Sequence, residues 1–170
     1  MTQMQKPHLV QYGVRLVGLV YLGLGVLGFL PFDFLSPHHP EGVGARYLFN
    51  LVAVNPLHNV IHLAIGGSGL WAAQQLHPSH PLRGARVRLW GTLTGVVLLV
   101  LFSVGLAQAA LEGFPKDQLL LRALPLNSPG HILHLISGGL ALYLGLVSPS
   151  ARTPGDRLNR IERRETNGLR

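Results

Sequence analysis

Histidines recur in two similar segments of an otherwise apolar chain. The first segment reads NPLHNVIHLAIGG (residues 55–67), and the second reads NSPGHILHLISGG (residues 127–139). Imidazole nitrogens are good ligands for haem iron and for zinc or copper. Within each segment the histidines are three or four residues apart, which puts them on one face of a helix: His58 with His62, and His131 with His134.

These residue types allow three interpretations. One imidazole from each helix could bind a haem axially, with His62 and His134 as the ligands and Asn59 and His131 lining the same faces. Alternatively, four imidazoles could bind a zinc or copper ion: His58, His62, His131 and His134. Alternatively, the asparagines and histidines form an interhelical hydrogen-bond network worth about 0.6 kcal/mol per bond, which would set the helix register. The sequence leaves all three open.

The composition is that of a membrane protein. Of the 170 residues, 48% are hydrophobic and 12% are charged, which is about half the charged fraction of soluble domains. A soluble bundle would need polar helix faces, and the stretch GTLTGVVLLVLFSVGLAQAAL offers almost none. Four apolar stretches approach the roughly 20 residues needed to cross a bilayer: residues 16–32, 57–76, 89–111 and 131–147. The sequence therefore predicts an all-α integral membrane protein, a four-helix bundle.

The net charge is +7, and the lysines and arginines that produce it are unevenly placed along the chain. With four spans, one side of the membrane carries Lys6, Arg15, Arg83, Arg86, Arg88 and six arginines within residues 152–170, and the other side carries Arg46, Lys116 and Arg122. Positive residues mark the cytoplasmic side, so both termini are predicted to be cytoplasmic. The basic surplus then needs no nucleic acid partner. The expected partners are the lipid bilayer and other membrane subunits.

The chain is predicted to contain one transmembrane hairpin twice. A shift of 72 positions aligns His62 with His134. Upstream, VRLVG (residues 14–18) matches VRLWG (residues 87–91) at a shift of 73. Two ordered matches at nearly one offset indicate an internal repeat.

The repeats are expected to cover residues 12–76 and 85–148. Each contains two spans, so both enter the membrane from the same side and are parallel, related by an axis along the membrane normal. Together they make up a four-span membrane domain, residues 1–148. A basic cytoplasmic tail, residues 149–170, follows it.

Both histidine helices are expected to begin near the outer surface. Pro56 and Pro129 follow the cap residues Asn55 and Ser128, an arrangement typical of helix starts. His62 comes six residues after Pro56, roughly 9 Å of helical rise, and would lie in the outer leaflet. Small residues deeper on the same faces predict close packing, with the two histidine segments facing each other. The apolar patches ARYLFNLVAV and QLLLRALPL, which precede these helices, are predicted to form short interfacial helices.

Catalytic chemistry is not indicated. The chain has no cysteine, which excludes disulfides and thiolate metal sites. It contains no nucleophile–base pair and no glycine-rich phosphate loop. The expected function is therefore that of a non-catalytic subunit or binding component of a membrane assembly. The alternative is a haem- or metal-binding redox membrane protein that uses the paired histidines of spans two and four.

The first histidine segment resembles the pattern N-P-x-H-N-x-x-H-L-x-x-G of an uncharacterised bacterial family of small four-span membrane proteins. The resemblance covers roughly residues 12–147. The matching positions are Asn55, Pro56, His58, Asn59, His62 and Gly66. It implies a multi-pass protein of the bacterial cytoplasmic (inner) membrane, and it implies no particular activity.

Overall fold

The computed structural model describes residues 6–30, 40–74, 82–113 and 118–148. The elements in chain order are α1 (Lys6–Leu27), β1 (Arg46–Leu48), β2 (Val52–Val54), α2 (Pro56–Ala72), α3 (Leu82–Glu112), β3 (Gln118–Leu120), β4 (Leu124–Leu126) and α4 (Ser128–Val147). Within the described ranges the protein is thus two helix–hairpin–helix units. The predicted tail at residues 149–170 lies outside them.

Three of the helices are long and apolar enough to cross a membrane: Leu9–Leu27 in α1, Gly84–Leu111 in α3 and Ser128–Val147 in α4. α2 is shorter, with 17 residues. Much of the apolar surface is turned outward, and α3 alone exposes Leu89, Leu93, Val96, Val97 and Val100. Such a surface suits contact with lipid rather than water. The prediction of a mainly helical chain with the properties of a membrane protein is confirmed.

The connections that precede α2 and α4 differ from prediction, because they form β-hairpins rather than short interfacial helices. β1 pairs antiparallel with β2, with Arg46 opposite Val54. β3 pairs in the same way with β4, with Gln118 opposite Leu126. Each patch is too short for a stable isolated helix, since helix nucleation is costly. Antiparallel pairing satisfies the backbone groups of so short a segment instead. The fold is therefore mostly helical, not all-α.

The two hairpins have the same backbone conformation. Phe49 and Asn50, at the first turn, have φ angles of 53° and 56°, and Leu121 and Arg122, at the second, have φ angles of 50° and 58°. Two-residue hairpin turns with positive φ at both central residues match the twist of the flanking strands. Glycine or asparagine usually occupies these positions. The second pair lies 72 positions after the first, so the repeat in the sequence is also a repeat of the backbone.

Glycines bring the helices of each unit into close contact. In the first unit, a Cβ on Gly18 would lie 3.2 Å from the carbonyl oxygen of Gly66. In the second unit, a Cβ on Gly91 would lie 2.6 Å from the carbonyl oxygen of Ala141. Small residues allow this approach, which drives helix association where lipid gives no hydrophobic drive. α1 therefore packs on α2, and α3 packs on α4.

A shared core joins the two units. Its buried members come from all four helices: Val14, Val17, Tyr21, Ala72, Ala73, Val87, Trp90, Leu98, Ala141 and Leu144. Polar contacts also cross between units, since the Trp90 indole of α3 donates to the Ser68 hydroxyl of α2 at 3.1 Å. The histidine helices α2 and α4 are thereby held in one body.

Candidate functional site

Asparagine caps set where the two histidine helices begin. Asn55 has extended backbone angles, and its side-chain oxygen accepts a hydrogen bond from the backbone N–H of His58 at 2.8 Å. Asn127, and not the predicted Ser128, caps α4 in the same way, because its side-chain oxygen accepts from the N–H of Gly130 at 3.1 Å. Satisfying a free N–H of the first turn stabilises a helix start. His58 therefore lies in the first turn of α2, with His62 one turn further along.

The same asparagines tie each helix to the hairpin of the other unit. The Asn55 amide donates to the carbonyl of Ala123, in the second hairpin, at 2.7 Å. The Asn127 amide donates to the carbonyl of Leu51, in the first hairpin, at 2.7 Å. Each partner occupies the corresponding position of its repeat. This reciprocal pair of bonds fixes the hairpins over the beginnings of α2 and α4.

Three imidazoles from the two units meet beneath the hairpins. Ligand nitrogens of His58, His62 and His134 all lie within 4.8 Å of one another. The His58 ring centroid is 4.3 Å from that of His62 and 5.9 Å from that of His134. The two histidine segments therefore face each other, with α2 contributing two rings and α4 one. We call these three residues the histidine cluster.

The histidine cluster is buried and its nitrogens are not satisfied. The exposed fractions are 3% for His58, 1% for His62 and 2% for His134. Among the described residues, neither nitrogen of His62 has a hydrogen-bond partner, and the Nδ1 atoms of His58 and His134 also lack one. A buried polar group without a partner costs roughly 1–3 kcal/mol. A hydrogen-bond network does not satisfy these atoms here.

Neighbouring groups hold the cluster in position. The Tyr21 ring of α1 meets His62 edge-on, with centroids 5.1 Å apart. Its hydroxyl lies 2.7 Å from the Ser137 hydroxyl, which itself donates to the carbonyl of Leu133 at 2.5 Å. The backbone carbonyls of Ala53 and Pro125 interact with His58. Sequence reasoning missed Tyr21. Ser137 had a usable signal, because it lies three residues after His134 on the same helix face.

The two other predicted site residues, His131 and Asn59, contact other parts of the fold. The His131 ring packs against α3, where its centroid is 6.4 Å from that of Phe102 and a Cβ on Gly105 would lie 3.0 Å from its Nδ1 atom. Asn59 packs against the residue that follows α1, since a Cβ on Gly28 would lie 2.8 Å from its Nδ2 atom. Of the four histidines predicted to bind a metal, the structure brings three together.

The cluster offers imidazole nitrogens as metal ligands. In the part of the chain that the structure describes, the group of potential metal ligands comprises these three imidazoles and neither a carboxylate nor a thiolate. Neutral imidazoles are typical ligands of zinc, copper, nickel and iron. The arrangement can hold a transition-metal ion between α2 and α4.

Comparison with known proteins gives a family for this chain. No curated protein and no solved structure shows significant similarity to it. One family model matches residues 11–147, which include all four helices in whole or in most of their length and every residue of the histidine cluster. The chain therefore belongs to the family described as a domain of unknown function, DUF4383.

Proposed function

We propose that this protein is a small four-span component of the bacterial cytoplasmic membrane that binds one transition-metal ion through His58, His62 and His134. One observation carries the proposal: three imidazoles with ligand nitrogens within 4.8 Å are buried together and have nitrogens without hydrogen-bond partners. Buried polar atoms in native proteins are nearly always satisfied. A bound ion would satisfy these.

The geometry favours an ion over a haem. In a bis-histidine haem the macrocycle lies between the two axial imidazoles and needs open space on every side of the iron. Here the His58 ring lies 4.3 Å from His62 and 5.9 Å from His134, measured between centroids. The His58 ring would therefore occupy part of the space that the macrocycle needs. A single ion needs only small rotations of the rings, because metal–nitrogen bonds of about 2.0–2.1 Å bring donor atoms to roughly 3.3 Å from one another.

The proposed topology places this ion in the outer leaflet. α2 is taken as a span in addition to α1, α3 and α4, since its 17 residues fall at the lower end of the range for spanning helices, and it packs along α1. Arginines and lysines assign both termini and the 149–170 tail to the cytoplasm. The hairpins then face outward. The protein acts as a binding component, alone or with other membrane subunits, and carries out no catalysis of its own.

Metal analysis of the purified protein tests the proposal. The full chain is extracted in mild detergent, exposed to copper or zinc, freed of excess ion and measured by elemental analysis and absorption. We expect one ion per chain and no Soret band. His62→Ala and His134→Ala should each abolish stoichiometric binding, since either change leaves two donors.

His131→Ala is the matched control. His131 is a buried histidine of the same helix as His134, but it lies against α3 and outside the cluster. This variant should bind as much metal as the unmodified chain. Metal-free protein under all loading conditions, or equal loss in all three variants, would overturn the proposal. A Soret band lost with His62 or His134 would favour a haem instead.

A further inference from the structure

We infer that the ion held by the histidine cluster is monovalent copper, Cu(I), rather than a divalent metal. This inference rests on the proposed function and names the ligand of the same site. It follows from the charge of the donors, their number and their surroundings.

The first argument is charge. All three donors are neutral imidazoles, so the bound ion keeps its full charge. Glu41 is the one acidic residue whose side chain the structure describes, and it is exposed. Transferring an ion out of water costs free energy that rises with the square of its charge, so a divalent ion costs about four times as much as a monovalent ion of the same size. With no described carboxylate at the cluster, the lower charge is favoured.

The second argument is the number of donors. Structural zinc sites are almost always four-coordinate, and zinc sites with three protein ligands complete the set with water. Three donors are present here, each with at most 3% of its surface exposed. The side-chain amide of Asn59 lies against Gly28. Cu(I), with its lower charge, is stable with three ligands and needs no fourth.

The third argument is the cover over the site. Val54 and Leu126, the last residues of β2 and β4, are 0% and 1% exposed. They immediately precede the caps of the two histidine helices, and the backbone of the same two hairpins contacts His58. Water stabilises Cu(II) far better than Cu(I), so donors that are at most 3% exposed, beneath these hairpins, favour the reduced ion.

Competition between metals tests the inference. The full chain in lipid nanodiscs is titrated anaerobically with Cu(I) in the presence of bicinchoninate and, separately, with Zn(II) in the presence of a zinc chelator of matched affinity. We expect one Cu(I) per chain, retained against at least about tenfold more competitor than Zn(II) withstands. X-ray absorption should show a Cu(I) edge with about three nitrogen neighbours.

Asn59→Asp provides a second measurement. This isosteric change puts a negative charge at a position that is 1% exposed and adjacent in sequence to His58. The added charge should shift selectivity toward Zn(II) by about tenfold or more. Leu57→Asp is the matched control: Leu57 is equally close in sequence but 50% exposed, so its charge should change selectivity little.

The outcomes separate the two proposals. Stoichiometric Zn(II) bound more tightly than Cu(I), through the same histidines, would overturn the inference and leave the proposed function standing. Unchanged selectivity in Asn59→Asp would contradict the charge argument. Absence of any bound metal would overturn the proposed function itself.

Discussion

At the scale of single residues, the unusual feature is a set of imidazoles that are buried together and have nitrogens without hydrogen-bond partners among the described residues. His62 has neither nitrogen satisfied among the described residues, and its ring is held from one side by Tyr21. Polar groups within membrane helices are costly and are usually kept for a function. The metal-free cluster is therefore expected to reduce stability, and metal binding is expected to restore it.

His62→Leu tests whether the unsatisfied imidazole lowers the stability of the metal-free protein and whether bound metal restores it. Replacing an unsatisfied polar group with an apolar one of similar size is nearly neutral or stabilising. Without metal, the variant should unfold at the same temperature as the unmodified protein or higher. With Cu(I) at about 100 times its dissociation constant, the unmodified protein should gain about 2.7 kcal/mol, and the variant should gain nothing. Thermal unfolding with and without metal measures both effects. Strong destabilisation of the metal-free variant would mean that His62 has partners after all.

Tyr21 is expected to act through its ring more than through its hydroxyl. Tyr21→Phe keeps the edge contact with His62 and loses the bond to Ser137, so it should cost only about 0.6–1 kcal/mol and leave metal stoichiometry unchanged. Tyr21→Ala removes a fully buried ring and should cost about 3–5 kcal/mol. Its metal affinity should also fall, as measured by competitor titration. Equal affinity in both variants would show that the ring does not position His62.

At the scale of elements, close packing of α1 on α2 depends on particular glycines. A Cβ on Gly66 would lie 2.7 Å from the Cα atom of Leu22, whereas one on the next residue, Gly67, would have no atom within 4 Å. Because backbone atoms cannot move aside as side chains do, the two helices would have to separate.

Gly66→Ala and Gly67→Ala are therefore a matched pair. The first should destabilise the protein by about 1–3 kcal/mol through overpacking. The second should be neutral or stabilising by up to about 1 kcal/mol, because alanine is the better helix former. Thermal unfolding in detergent distinguishes them. Similar melting temperatures for the two variants would contradict the helix pairing described here.

The reciprocal ties between caps and hairpins can be tested separately from capping. Asn55→Asp keeps the oxygen that accepts from His58 but loses the N–H that donates to Ala123. We expect a loss of about 1–2 kcal/mol, together with faster release of bound metal as the second hairpin loosens. Asn55→Ser, which also caps a helix, should show the same loosening. Unchanged metal release in both variants would mean that the hairpins do not cover the site.

At the scale of the whole molecule, two similar units surround one asymmetric site. The hairpins, turns and caps recur 72 positions apart, yet the cluster takes two imidazoles from α2 and one from α4. The difference is one residue of spacing: His58 lies four residues before His62, whereas His131 lies three before His134 and turns toward α3.

The proposed topology, with both termini in the cytoplasm and the hairpins outside, can be tested in intact cells. The chain has no cysteine, so single cysteines can report exposure directly. Val43→Cys, at a residue that is 94% exposed and precedes the first hairpin, should react with a membrane-impermeant maleimide in intact bacterial cells. Gly84→Cys, at the beginning of α3, should react only after the cells are permeabilised. The opposite pattern would reverse the proposed orientation.

Much of the architecture could be read from the sequence because the bilayer imposes simple requirements. Apolar length indicated the long apolar helices, and a cap residue followed by proline marked the beginning of α2. The beginning of α4 was predicted one residue too late, because Asn127 and not Ser128 caps that helix. The match between residues 55–67 and 127–139 indicated a repeat. The hairpins could not be read in this way, because apolar patches of about ten residues have no clear period.

The sequence by itself determined a mainly helical, membrane-type chain with two related histidine segments, since hydropathy, capping and duplication are local properties. The tertiary structure decided which of those histidines meet. His58, His62 and His134 converge, and His131 does not, because the rotation of α4 against α2 and α3 sets where each imidazole points. It also decided that Tyr21, 41 residues before His62, supports the cluster. Such contacts arise from packing between distant segments, and no local pattern encodes them.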